Sequence, residues 1–214
     1  MAETICLKKK LDAKMKRTKN RGLVTGAMSN IEGIVIVSIL FLLATVLILK
    51  INIETLIISY LTVFIYVGIY TPLKRISWIN TYVGAIPGAL PLLGGWVATG
   101  TPLHLAVISL FFTLFCWQIP HFYALSMMYF DDYKNAGFRM LPNQTGGIEA
   151  TKRQTLFFSL LMVFSSIYPF FIGFLSEVYL IGVGILSVVF LRFIFKGIGD
   201  LKNNAKKLFI LSII

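Results

Sequence analysis

Asp131 and Asp132 stand side by side at the end of a long apolar run, within WQIPHFYALSMMYFDDYKNAGFRMLP at 117–142, in a chain with only nine carboxylates. Adjacent carboxylates offer hard oxygen ligands of the kind that hold Mg²⁺. Other polar groups cluster in two further segments: LDAKMKRTKNRGLVTG at 11–26 carries Asp12 among several cations, and YTPLKR at 70–75 ends in Lys74 and Arg75. His121 precedes the acidic pair and Lys134 follows it. Carboxylates alone would suggest a cation site, and cations alone a lipid-headgroup surface. Together they suit a metal-bridged polyanion, with Mg²⁺ on the carboxylates and Lys or Arg neutralising the remaining phosphate charge. A diphosphate is the simplest such ligand, and an apolar cavity beneath it would take a lipid tail.

The elements that must position these residues are membrane helices. The chain is 57% hydrophobic and 14% charged, with a mean hydropathy of +0.82, so its main solvent is lipid. Continuous apolar runs at 31–49, 54–70, 79–99, 103–120, 155–175 and 178–195 are each long enough to cross about 30 Å of hydrocarbon, and an incomplete seventh occupies 205–214. Continuous apolarity excludes the period-two alternation of a barrel, and open sheets cannot satisfy their backbone in lipid. The expected fold is all-α: a basic segment at 1–30, then a polytopic transmembrane bundle at 31–214.

Charge sets the orientation. Basic residues precede the first run, and Lys74 and Arg75 separate the second from the third. Lys134, Arg139, Lys152 and Arg153 separate the fourth from the fifth, and further lysines follow the sixth, which with alternating crossings leaves only Lys50 on the opposite side. The positive-inside rule makes the basic face cytoplasmic and the location the cell membrane. The net charge of +11 is therefore what topology demands, and nucleic acid is not an expected partner. Cys6 and Cys116 form no metal or disulfide pattern. Gly84, Pro87, Gly88, Pro91, Gly94 and Gly95 crowd the third run, which reads either as close helix packing or as a bent helix shaping a cavity.

Taken together, DAKMKRTKNR at 12–21, YTPLKR, GAIPGALPLLGGW at 84–96, WQIPHFYAL and DDYKNAGFRMLP resemble the protohaem IX farnesyltransferases, or haem O synthases, of the UbiA-type intramembrane prenyltransferase superfamily. The resemblance implies that farnesyl diphosphate, haem B and water yield haem O and diphosphate. Haem A synthase or haem-copper oxidase assembly would then be partners downstream. It further implies that Asp131 and Asp132 form the second acidic motif and bind Mg²⁺, and that Asp12 is the last acid of the first. Lys74 and Arg75 would grip the diphosphate, assisted by Arg17, Arg21, Lys134 and a hydrogen bond from Tyr70. His121 would meet the porphyrin propionates or iron.

The chain departs from the family pattern upstream of Asp12, where MAETICLKKKL supplies no matching carboxylates, and at Gly22, where the family has proline. Two further helices are expected before that point and the end of a helix after Ile214, so the sequence reads as an interrupted member whose activity is impaired. Each residue also has a plainer role. The acidic pair could cap a helix or lie in a solvated loop, the cations could enforce topology, and His121 could satisfy a hydrogen bond at a span end. Other functions stay open as well: a haem-holding assembly protein, or a prenyltransferase of a quinone precursor. A transporter is disfavoured because the centres of the runs carry no ionisable group.

Overall fold

The computed structural model describes Ala13 and residues 18–213, which form helices joined by turns, with no strand among them. The all-α expectation holds. We number the main helices α1 (Asn30–Leu49), α2 (Ile53–Ile76), α3 (Asn80–Val97), α4 (Leu105–Met128), α5 (Phe130–Asn135), α6 (Gly147–Phe171), α7 (Glu177–Ile198) and α8 (Leu201–Leu211).

Side chains start four of these eight helices, since a helix end leaves backbone donors that lipid cannot satisfy. Ser29 opens α1 through a capping box: its hydroxyl accepts the Glu32 N–H at 3.1 Å, and the Glu32 carboxylate accepts the Ser29 N–H at 2.8 Å. Asn52 caps α2 by accepting from the Thr55 N–H at 2.8 Å, and its amide donates to the Val97 carbonyl at 2.7 Å, tying the start of α2 to the end of α3. At α4 the cap is His104, whose Nδ1 accepts the Ala106 N–H at 3.2 Å while the ring stacks on Phe174 at 4.8 Å.

Five helices, α1, α2, α4, α6 and α7, are long and apolar enough to cross a membrane. The third expected span is less apolar than its neighbours. α3 has 18 residues, a length of about 27 Å, but Asn80, Thr81, four glycines and two prolines dilute its apolar content. Protein covers one side of it: α3 packs between α2 and α4, with Ala85 and Ala89 at 0% exposure. By contrast α1 has no buried residue.

Three boundaries differ from the hydropathy reading. α2 continues past 70 to Ile76, α4 continues past 120 to Met128, and α6 begins at Gly147 instead of 155. Helix propagation costs little once a helix is nucleated, and cations at the end of α2 favour the negative end of its dipole, so the helices outrun the apolar stretches. The expected partial span at 205–214 corresponds to α8. This helix has 11 residues, and it packs Leu201, Ala205 and Leu208 against Ala124 and Met127 of α4 and Ile194 of α7.

Candidate active site

The site grows from the end of α2. Over Phe64–Tyr70 the helix is π-wound, and both the N–H and the hydroxyl of Thr71 donate to the Tyr66 carbonyl, the hydroxyl at 2.8 Å. A π turn inserts a residue and re-aims everything beyond it. Here it directs the Tyr70 ring onto α3, where Gly84 leaves room: a Cβ at Gly84 would lie 2.6 Å from Tyr70 Cε2. The Lys74 ammonium in turn sits 4.1 Å from the Tyr70 ring centroid, a cation–π contact that holds it above the α2–α3 seam. Lys74 and Arg75 thus occupy the last turn of a helix, where the sequence placed them in a loop, and Tyr70 lies within that helix.

The acidic pair comes from the next connection on the same side. α4 ends at Tyr129, which leaves helical geometry (φ −112°, ψ 35°), and the short helix α5 then carries Asp131 and Asp132 in its first turn and Lys134 in its last. Beyond α5 the chain returns to α2. The Arg139 N–H donates to the Lys74 carbonyl at 2.8 Å, and the Arg139 guanidinium donates to the Ile76 carbonyl at 3.4 Å. Asn80, at 0% exposure, locks this crossing by donating from one amide to the Ser77 carbonyl at 2.7 Å and the Arg139 carbonyl at 2.9 Å. The segment bearing Asp131, Asp132 and Lys134 is therefore stitched to the helix end bearing Lys74 and Arg75. Leu141 anchors the far side of the stitch in a core with Ala85, Ile119 and Tyr123.

Asp131 is exposed and Asp132 half-buried, and neither carboxylate makes an ion pair or hydrogen bond among the described residues. The plain reading as a side-chain cap at the start of α5 is thus not realised: its N-cap is Tyr129, with no side-chain cap bond. No group of three or more His, Cys, Asp or Glu residues is placed to hold a metal ion among the described residues. The pair nevertheless fits Mg²⁺, which characteristically takes one or two carboxylates and fills its octahedron with water and substrate phosphate oxygens.

Other residues named from the sequence lie elsewhere. His121 is inside α4, seven residues before its end at Met128, about 10 Å along the helix. Its Nδ1 is 2.8 Å from the Ser212 hydroxyl, and its ring stacks on Trp117 and Phe209 with centroids at 5.1 and 4.6 Å. Arg21 is exposed at the start of the four-residue turn Gly22–Thr25. Asp12 and Arg17 lie outside the described residues. Sequence reasoning passed over Asn80, since a single asparagine near an apolar run carries no spacing signal.

An acidic pair stitched beside two cations, at one end of a bundle of apolar helices, suits an anionic head on an apolar tail. Residues 7–213 match the UbiA prenyltransferase family. The chain belongs to that family. Among curated relatives, a protohaem IX farnesyltransferase from Flavobacterium johnsoniae is 33% identical over 186 residues, covering 86% of this chain and 61% of the relative. One from Francisella tularensis subsp. holarctica is 42% identical over 166 residues, covering 77% of this chain and 58% of the relative. The chain thus spans about three-fifths of the length of the curated relatives it matches. Solved structures share the UbiA fold. A digeranylgeranylglyceryl phosphate synthase superimposes with a TM-score of 0.76 at 23% identity, covering 99% of this chain and 75% of the other. A UbiA homologue from Aeropyrum pernix K1 gives 0.76 at 19% identity, with 100% and 80% covered. This member of the family is a multi-pass membrane protein, and among the described residues Lys74, Arg75, Lys134 and Arg139 lie at the end that carries the candidate site.

Proposed function

We propose that this chain transfers a farnesyl group from farnesyl diphosphate to a vinyl group of haem B, giving haem O, with the stitched end of the bundle facing the cytoplasm of a cell membrane. The observation that carries the reading is the Arg139–Lys74 backbone bond at 2.8 Å, which ties the segment bearing the acidic pair to the helix end bearing Lys74 and Arg75. Curated relatives named protohaem IX farnesyltransferase support the choice of donor and acceptor.

Lys74 and Arg75 would bind the non-bridging oxygens of the diphosphate, and Tyr70, beneath Lys74, would keep the ammonium poised through its ring. Asp131 and Asp132 would hold Mg²⁺, which when bound neutralises charge on the departing diphosphate. Lys134, exposed at the end of α5, would add a further cation at the mouth. Arg17, Arg21 and Asp12 belong to the proposal as contributions from the preceding segment. The surrounding helices exclude water from the reacting allylic carbon, which protects the cation formed when its C–O bond ionises.

The test is a haem extraction profile from membranes of a haem O-deficient host expressing this chain, beside an Asp131→Asn variant. Haem O that disappears in the variant supports the reading. Inserted protein that yields no haem O in either case overturns it for this chain.

A further inference from the structure

Two helices place side chains on one face of α3. Gly84 and Gly88 are one turn apart and share that face. Tyr70 of α2 fills the space beside Gly84, and a Cβ on Gly88 would fall on the carboxamide of Gln118 from α4. Gln118 is thus packed on bare backbone about one turn deeper in the membrane than the ring beneath Lys74.

The orientation of that carboxamide is set by its partner. Gln118 is 6% exposed, and its Nε2 donates to the Ala85 carbonyl at 3.3 Å, which turns Oε1 the other way. Among the described residues Oε1 has no hydrogen-bond partner, and it is not sealed from the surroundings, because Gly88 beside it is exposed. Pro91 and Gly95 are exposed on the same side of α3. The result is an exposed strip of small residues along α3, with a lone polar acceptor beside it at Gly88. Leaving an acceptor unpaired at such a depth costs about 1–3 kcal/mol unless something donates to it.

We propose that Gln118 is a positioning residue that holds, through Oε1, the water molecule that completes the transfer. This rests on the prenyl-transfer reading above. In that reaction the allylic C–O bond breaks and its electron pair leaves with the diphosphate. The vinyl π pair then forms the new carbon–carbon bond, which moves the positive charge to the inner vinyl carbon. Water adds its oxygen lone pair to that carbon, and its proton goes to the released diphosphate, the base that the first step supplies. A water donating one O–H to Oε1 presents its lone pair to the cation. A neutral carboxamide suits the task better than a carboxylate, which would itself trap the cation as an ester.

The alternative fate of the same cation is loss of a neighbouring proton, giving an adduct lighter by one water. The partition between hydroxylated and dehydrated adducts therefore reports on Gln118 where simple misfolding would not. Membranes containing the chain are given haem B and farnesyl diphosphate, and the adducts are separated by mass. Gln118→Leu should raise the dehydrated-to-hydroxylated ratio by about tenfold, the equivalent of one lost hydrogen bond. Gly88→Ala, which displaces the carboxamide, should shift the ratio the same way, whereas Gly182→Ala, whose added Cβ meets nothing within 4 Å, should not. Should Gln118→Leu not accumulate, Gln118→Met and Gly88→Ala decide. An unchanged ratio in variants that still turn over overturns the role of Gln118 alone. A parent chain that forms no adduct of either kind overturns the transfer reading, and this role with it.

Discussion

Asn80 bonds to carbonyls from two directions at a point where nothing else joins α2, α3 and the segment after α5 in the same way. Removing its amide in Asn80→Ala leaves the Arg139 carbonyl without that donor, at a cost of about 1–3 kcal/mol, while the Ser77 carbonyl keeps the backbone N–H of residue 80. The variant should unfold earlier in detergent and be cut faster by trypsin after Arg139 in native membranes. Unchanged cleavage would show that the stitch is held by the bonds from Arg139 to Lys74 and Ile76. Tyr70 offers a second contrast. Tyr70→Phe keeps the ring under Lys74 and Tyr70→Leu removes it, so magnesium pyrophosphate should bind the leucine variant several-fold more weakly, in keeping with a cation–π contribution of about 0.5–2 kcal/mol. Equal weakening in both would assign the effect to the hydroxyl. At this scale the acidic pair and YTPLKR were legible because charge is rare in this chain. Gln118 was not, because one glutamine within an apolar run reads as tolerated polarity until Gly88 is seen against it.

Among the elements, α8 shows how a short helix is held against its neighbours. The Trp117 indole donates to the Ser212 carbonyl at 2.7 Å, the His121 imidazole meets the Ser212 hydroxyl at 2.8 Å, and Phe209 stacks on His121. His121→Phe preserves the stack and loses one hydrogen bond, about 1 kcal/mol, so hydrogen exchange across Leu201–Leu211 should rise modestly. Trp117→Ala removes the other bond and a large ring, so exchange should rise well beyond that. Comparable haem O yield in His121→Phe would assign His121 to packing; loss of haem O with α8 still protected would restore its role toward the porphyrin. Hydropathy located the helices that lipid surrounds, since continuous apolar runs leave little choice. It misjudged their ends, and it could not show the π turn in α2, because that depends on Pro72 and on Thr71 bonding to Tyr66 rather than on any apolar period.

For the whole molecule, alternation of the helices puts Lys74 and Lys134 at one end and Lys50 at the other. In a Cys6→Ser background, cysteines at 74 and 134 should react with an impermeant thiol reagent only in inside-out vesicles, and one at 50 only in right-side-out vesicles. Cys116, at 0% exposure, should stay silent in both. Labelling of 74 and 50 from the same side would break the antiparallel arrangement. α3 is fastened at both ends of this framework, by Asn52 to Val97 on one side and by Asn80 to Arg139 on the other. Between those fastenings Pro87 and Pro91 each remove a backbone donor, so the middle of the helix is its softest part. On the transfer reading proposed above it acts as a bowstring: the centre bows to admit a bulkier acceptor while both nocks stay where they are. On that reading, tolerance for the size of the acceptor and affinity for the diphosphate are separate properties, the first set by the two prolines and the second by the two asparagine fastenings.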